Sequence, residues 1–150
     1  MGKYQKLIFV CTGNTCRSPM AEAIYRSLET MGTMKVISRG LVVLFSEPIN
    51  PKAEIVLNKH DLELSNHVAK GLKASDIDEH TLILTMTANQ KKRVCENYPD
   101  AKDVYPIKEY AGEIGDVIDP YGGTLMEYEE CYIELARLVK KTVYKLIEEV

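Results

Sequence analysis

The order of elements along this chain predicts a doubly wound α/β fold, with parallel strands flanked by helices. Three observations carry that expectation. Short apolar runs without alternation, Leu7-Ile8-Phe9-Val10 and Thr81 to Met86, read as strands buried on both faces. Other segments carry apolar residues at helical spacing, the longest running from Leu125 towards Val150. Leu7 to Pro19 compresses a strand, a tight polar loop and a helix start into about a dozen residues. Strands alternating with helices imply a parallel sheet. At 150 residues the chain is expected to be one domain, large enough to bury a real core.

The first strand covers about Lys6 to Val10. Ser18 as N-cap and Pro19 at the first helical position open a helix to about Met31. Met20, Ala23, Ile24 and Leu28 form its apolar stripe, and Gly32 its C-cap. Met34 to Ser38 reads as the second strand, ended by Arg39-Gly40. Leu41 to Ile49 is a loop, apolar enough for part of it to cover a site. Asn50-Pro51 starts a second helix that runs to about His60. Asp61 to His80 carries Leu62, Leu64, Val68 and Leu72, which suggest a turn and a short helix. The third strand, Thr81 to Met86, precedes a polar helix from Asn89 to Asn97. Val104-Tyr105 is a short fourth strand, and the glycine-bearing Tyr110 to Gly123 is a loop or two brief turns. Thr124 and Glu127 form a capping box for the last helix.

Chemistry concentrates between Cys11 and Pro19, in CTGNTCRSP. Five residues separate Cys11 from Arg17, the spacing C-x5-R. A short loop closing onto a helix N-terminus turns backbone N–H groups inward and makes an anion-binding nest. Gly13 and Asn14 are the two residues best able to adopt the left-handed angles such a loop needs. Arg17 supplies a planar fork for two oxygens of a tetrahedral dianion. Cys11 at the loop's origin would be held as a thiolate by the same groups, with Ser18 donating to its sulfur. The alternative is a small buried side chain that merely ends a strand. Neither G-x-x-x-x-G-K-[ST] nor G-x-G-x-x-G occurs.

At these residues the chain resembles the low-molecular-weight protein tyrosine phosphatases. Val10-Cys11-Thr12-Gly13-Asn14-Thr15-Cys16-Arg17-Ser18-Pro19 is similar to the family signature, and Asp119-Pro120-Tyr121 to its second motif. The resemblance covers essentially the whole chain. It implies a four-stranded flavodoxin-like sheet in the order 2-1-3-4. It also implies phosphorylated protein substrates, hydrolysed through a phosphocysteine. Cys11 would be the nucleophile, while Arg17 and the loop residues Thr12, Gly13, Asn14, Thr15, Cys16 and Ser18 hold the phosphate. Asp119 would be general acid and then base, with Asp116 the nearest rival; Asp-Pro is otherwise an ordinary turn starter. Tyr121 would form a cleft wall. The family pattern places Ser38 and His67 as supports of Asn14, and it implies a protective disulfide between Cys11 and Cys16. Two departures bear on the substrate. Thr15 stands where tyrosine-specific members carry an aliphatic residue, and so resembles the phosphoarginine branch. Gly122-Gly123 follows Tyr121 where a second aromatic is common.

Composition narrows the alternatives. Net charge is −3, which points to neither a nucleic-acid nor an anionic-membrane partner. No apolar run approaches the roughly 18 residues of a membrane span, and the N-terminus has no signal-peptide core, so a cytoplasmic location is expected. Four cysteines, at 11, 16, 95 and 131, are expected to be free thiols, the last two packed within helices. His60, His67 and His80 are dispersed, so no metal or other cofactor is expected. The chain is expected to be a monomer or weak dimer. An arsenate reductase on the same fold is the alternative, and it needs two further neighbouring cysteines as a disulfide relay.

Overall fold

The computed structural model describes residues 3–64 and 66–148. Four strands, β1 (Lys6–Cys11), β2 (Lys35–Gly40), β3 (Thr81–Thr85) and β4 (Asp103–Pro106), pair in parallel in the order β2-β1-β3-β4. This is the order implied by the family resemblance. The helices are α1 (Arg17–Leu28), α2 (Pro51–Lys59), α3 (Ala88–Asn97), α4 (Ile107–Tyr110) and α5 (Leu125–Glu148). The expected last two residues of α5 lie outside the described residues.

The unbroken apolar sequence of β1 follows from burial on both faces. Leu7 and Phe9 join the core formed with α1, α2 and α5, whereas Ile8 and Val10 pack with Ile83, Val104 and Val94 of α3 on the other side. All four are fully buried. From β1 the chain winds first to β2 and then back across to β3. The carboxyl end of β1 is therefore where the winding reverses, the place at which open α/β sheets bind ligands. Cys11 is the last residue of that strand.

Several boundaries depart from the sequence expectation, for identifiable reasons. Helix α1 begins at Arg17 with Cys16 at the cap position and no side-chain cap, so Ser18 is inside the helix. The Ser18 hydroxyl is drawn to Cys11 and Asn14 instead. The helix ends at Leu28, where Glu29 N–H bonds Tyr25 O, and Gly32 lies beyond it at φ +67°. β2 continues through Arg39 and Gly40, which pair with Val10 and Cys11. Between Asp61 and His80 the described helical structure is the 3₁₀ turn Ala74–Asp76. That stretch spends its hydrogen bonds elsewhere: Gly40 N–H donates to Lys70 O and Leu72 N–H to Gly40 O, both at 2.8 Å. α3 starts one residue early on a capping box of Thr87 and Gln90. The Thr124–Glu127 box is present as expected, with Glu127 N–H donating to Thr124 Oγ1 at 3.2 Å.

Gly40 shows how tightly the sheet end is packed. An added Cβ would meet Val43 Cγ2 at 2.6 Å, the Thr12 carbonyl oxygen at 2.9 Å and Asn14 Cβ at 3.1 Å. The middle contact is backbone, and backbone cannot turn aside as a side chain can. Gly40→Ala is expected to cost about 1–3 kcal/mol and to lower turnover as the 12–14 segment shifts. Denaturant unfolding and steady-state kinetics on the same preparation check both effects.

Candidate active site

The loop from Cys11 to Arg17 links β1 to α1. Its shape hinges on Asn14, a non-glycine residue at φ +58°. Such an angle disfavours a residue with a side chain, so surrounding groups must hold it. Four do. Lys70 N–H donates to Asn14 Oδ1 at 3.0 Å, which fixes the amide orientation. Asn14 Nδ2 then donates to Ser18 Oγ at 2.8 Å and to Ser38 Oγ at 3.0 Å. His67 Nε2 lies 2.7 Å from the Asn14 carbonyl oxygen; a carbonyl only accepts, so Nε2 carries the proton. Ser38 and His67 are thus both beside Asn14, as the family pattern suggested. Gly13, by contrast, does not adopt a positive φ. Of the two candidate left-handed positions, Asn14 takes the whole burden because it has the side chain that can be tied down.

The same network reaches Cys11. Ser18 Oγ accepts from Asn14 and lies 3.0 Å from Cys11 Sγ, a contact in which either group can donate. Asn14 N–H donates to Cys11 Sγ at 3.3 Å. At the far end, Ser38 Oγ donates to Glu22 Oε1 at 2.8 Å, and Glu22 pairs with Arg26 at 2.9 Å. Glu22 escaped the sequence reading because no motif spacing marks it. The buried carboxylate ends the arm of the network that runs from the Asn14 amide through Ser38, away from Cys11.

Arg17 is 5% exposed, and its Nη1 donates to Val117 O at 2.8 Å. Its Nη2 lies 3.7 Å from Asp119 Oδ2, whose side chain is about half exposed. Asp119 and Arg17 thus meet across one cleft although 102 positions separate them in sequence. Asp116 does not join them. Its Oδ1 accepts from Ala88 N–H at 2.9 Å, tying this segment to the start of α3. Val117 N–H adds a bond to Met86 O at 2.9 Å. Asp119 therefore follows an anchored pair of residues.

The cleft holds about 440 Å³ and is lined by Cys11, Thr12, Gly13, Thr15, Cys16 and Arg17 at its floor. Val42 to Phe45, Asp119 and Tyr121 form its rim, so the apolar loop after β2 does border the site. Leu44, Phe45 and Tyr121 are largely exposed, as walls awaiting a substrate face would be. Tyr121 N–H donates to Asp119 Oδ1 at 3.0 Å and steadies the carboxylate.

The remaining cysteines divide by environment. Cys16 is buried 3.7 Å from Tyr128 Oη, and burial pushes its thiol pKa up. Tyr128, on α5, is a second neighbour that sequence spacing did not reveal. Cys131 is buried on the α5 side, its pKa raised by burial to about 12. Cys95 is exposed on α3, against the expectation that it packs inside. Because α3 and α5 cover opposite faces of the sheet, Cys95 and Cys131 do not form the relay pair an arsenate reductase needs. Among the described residues no three His, Cys, Asp or Glu side chains form a metal-sized cluster. No helix there is long and apolar enough to cross a membrane.

Comparison with known proteins gives a consistent result. Residues 6–150 match the model for the low molecular weight phosphotyrosine protein phosphatases. The low molecular weight protein-tyrosine-phosphatase PtpB of Staphylococcus haemolyticus is 38% identical over 91% of this chain and 96% of its own. The protein-arginine-phosphatase of Geobacillus stearothermophilus is 36% identical over 96% of this chain and 97% of its own. A cysteine-to-serine mutant of the YwlE arginine phosphatase, solved with its active-site serine phosphorylated, superposes with a TM-score of 0.90. It is 33% identical, covering 96% of this chain and 97% of that one.

Proposed function

This chain belongs to the low molecular weight phosphotyrosine protein phosphatase family, and from that premise we propose that it removes phosphate from protein side chains, phosphoarginine before phosphotyrosine. The observation that carries the reading is the setting of Cys11. Its sulfur takes the Ser18 hydroxyl at 3.0 Å and Asn14 N–H at 3.3 Å on the floor of a cleft rimmed by Asp119. These contacts hold the sulfur on the cleft floor, facing the space a phosphate would fill.

In the first step Cys11 Sγ attacks phosphorus, and the S–P bond forms as the bond to the leaving oxygen or nitrogen breaks. The leaving atom takes its proton from Asp119. Loop N–H groups and Arg17 hold the equatorial oxygens, where charge is concentrated in the transition state. In the second step water gives its proton to Asp119 and attacks phosphorus. The S–P bond breaks, and inorganic phosphate leaves. Cys16 is the partner for Cys11 after oxidation: a Cys11 sulfenic acid formed by peroxide condenses with the Cys16 thiol to a disulfide and water.

Thr15 supports the phosphoarginine preference. It lines the cleft and is partly buried, its carbonyl held by Asn50 N–H at 2.9 Å. A threonine there leaves room and a hydroxyl for a guanidinium, whereas isoleucine would fill the space with apolar surface suited to an aryl ring. The thinner wall at Gly122-Gly123, where no second aromatic follows Tyr121, acts in the same direction. Turnover of phosphoarginine and phosphotyrosine peptides by the purified protein tests the preference. Thr15→Ile is expected to lower kcat/KM for phosphoarginine by roughly 10–200-fold and to spare or raise that for phosphotyrosine. An equal change for both substrates would leave Thr15 as a plain loop residue.

A further inference from the structure

Thr12 follows Cys11 and lines the cleft beside Gly13 and Arg17. Its hydroxyl oxygen accepts a hydrogen bond from Gln90 Nε2 at 3.1 Å. Gln90 lies in the first turn of α3 and is 4% exposed. Its amide is not free to turn over. Oε1 accepts from Met86 N–H at 2.9 Å and from Thr87 N–H at 3.1 Å. Two backbone donors can face only the oxygen, so the NH₂ group must face Thr12. The Thr12 oxygen therefore receives a proton from Gln90 and cannot spend its own in that direction. The open side is the cleft.

We propose that Gln90 is a positioning residue. It turns the Thr12 hydroxyl so that its proton is donated to an oxygen of the bound phosphoryl group. Given the phosphatase reading above, this adds one side-chain donor to the backbone donors of the loop and to Arg17. A hydrogen bond to a charged oxygen is stronger than one between neutral groups, and it counts most where charge develops. The base on which Gln90 stands is rigid. Met86 N–H donates to Val10 O at 3.2 Å, and the same turn holds Asp116 and Val117. One buried amide thus links the end of β1, the start of α3 and the phosphate loop.

Gln90→Glu tests this with little change of shape. One carboxylate oxygen still accepts from Met86 and Thr87, while the other offers Thr12 an acceptor in place of a donor. The Thr12 proton then turns towards Glu and away from the cleft. The variant is expected to melt within a few degrees of the parent, to lose roughly tenfold or more in kcat/KM, and to be inhibited less well by inorganic phosphate. The added charge could by itself repel phosphate, so the comparison is repeated on Thr12→Val. That variant alone should lose a similar factor, and Thr12→Ser, which keeps a hydroxyl, should recover most of it. In the Thr12→Val background the further loss from Gln90→Glu should shrink several-fold. A full, undiminished loss there would mean bare charge repulsion and overturn the proposal. So would Thr12→Val with unchanged phosphate inhibition and kcat/KM. Should the unaltered protein neither hydrolyse phosphorylated substrates nor bind inorganic phosphate, the phosphatase reading itself falls, an outcome distinct from either of these.

Discussion

Cys11→Ser is expected to abolish turnover, by on the order of 10⁴-fold or more, while inorganic phosphate or vanadate still binds. A serine hydroxyl in the same place is a far weaker nucleophile at neutral pH than a thiolate. The groups that would hold the anion do not depend on the sulfur. Asn14 remains pinned by Lys70, Ser38 and His67, and Arg17 remains buried with Val117. Binding and chemistry should therefore separate in this one variant. Isothermal titration with phosphate alongside a turnover assay reads the two quantities directly. Appreciable hydrolysis by the variant would move the nucleophile elsewhere, because no other side chain on the cleft floor has a comparable setting.

Asp119→Ala should produce the second largest effect, a loss of about 10²–10⁴-fold that depends on the leaving group. Phosphoarginine and phosphotyrosine need a proton delivered as the bond breaks. A nitrophenyl phosphate, whose leaving group is stable as an anion, should be hydrolysed much less slowly by comparison. Substrate binding should be spared. Removing Asp119 takes away the carboxylate 3.7 Å from Arg17 and leaves Nη2 open to phosphate, while Nη1 stays on Val117 O. Asp116→Ala supplies the contrast. That residue accepts from Ala88 N–H at 2.9 Å, so its loss should loosen the segment and slow all substrates by a similar, smaller factor. A leaving-group dependence that appeared with Asp116→Ala and not with Asp119→Ala would reverse the two roles.

Much of the fold was legible in the sequence because burial leaves a periodic trace. The apolar run before Cys11, the run from Thr81 and the spaced apolar residues of α5 each announce an element without reference to any other. The loop from Cys11 to Arg17 was legible for a related reason. Cys11, Asn14, Arg17 and Ser18 act within one turn of chain, so their spacing is itself the geometry. Boundaries were less legible where a side chain had a better partner than its own helix. Ser18 is a good N-cap by type, yet its hydroxyl is engaged by Asn14 and Cys11, and α1 begins two residues earlier than Pro19.

By itself, then, the sequence determined the sheet's strands and marked the loop from Cys11 to Arg17 and, through its second motif, Asp119 as the candidate site. Tertiary structure alone decided which distant residues complete the site. Glu22 behind Ser38, Tyr128 beside Cys16, Gln90 beneath Thr12 and Asp116 at the start of α3 leave no mark in spacing. Glu22, Gln90 and Asp116 each act through a directed hydrogen bond between elements far apart in the chain, and Tyr128 through a longer contact with the Cys16 sulfur. Such a bond exists only once hydrophobic packing has brought a donor and an acceptor within about 3 Å of each other, and nothing periodic in the chain records it.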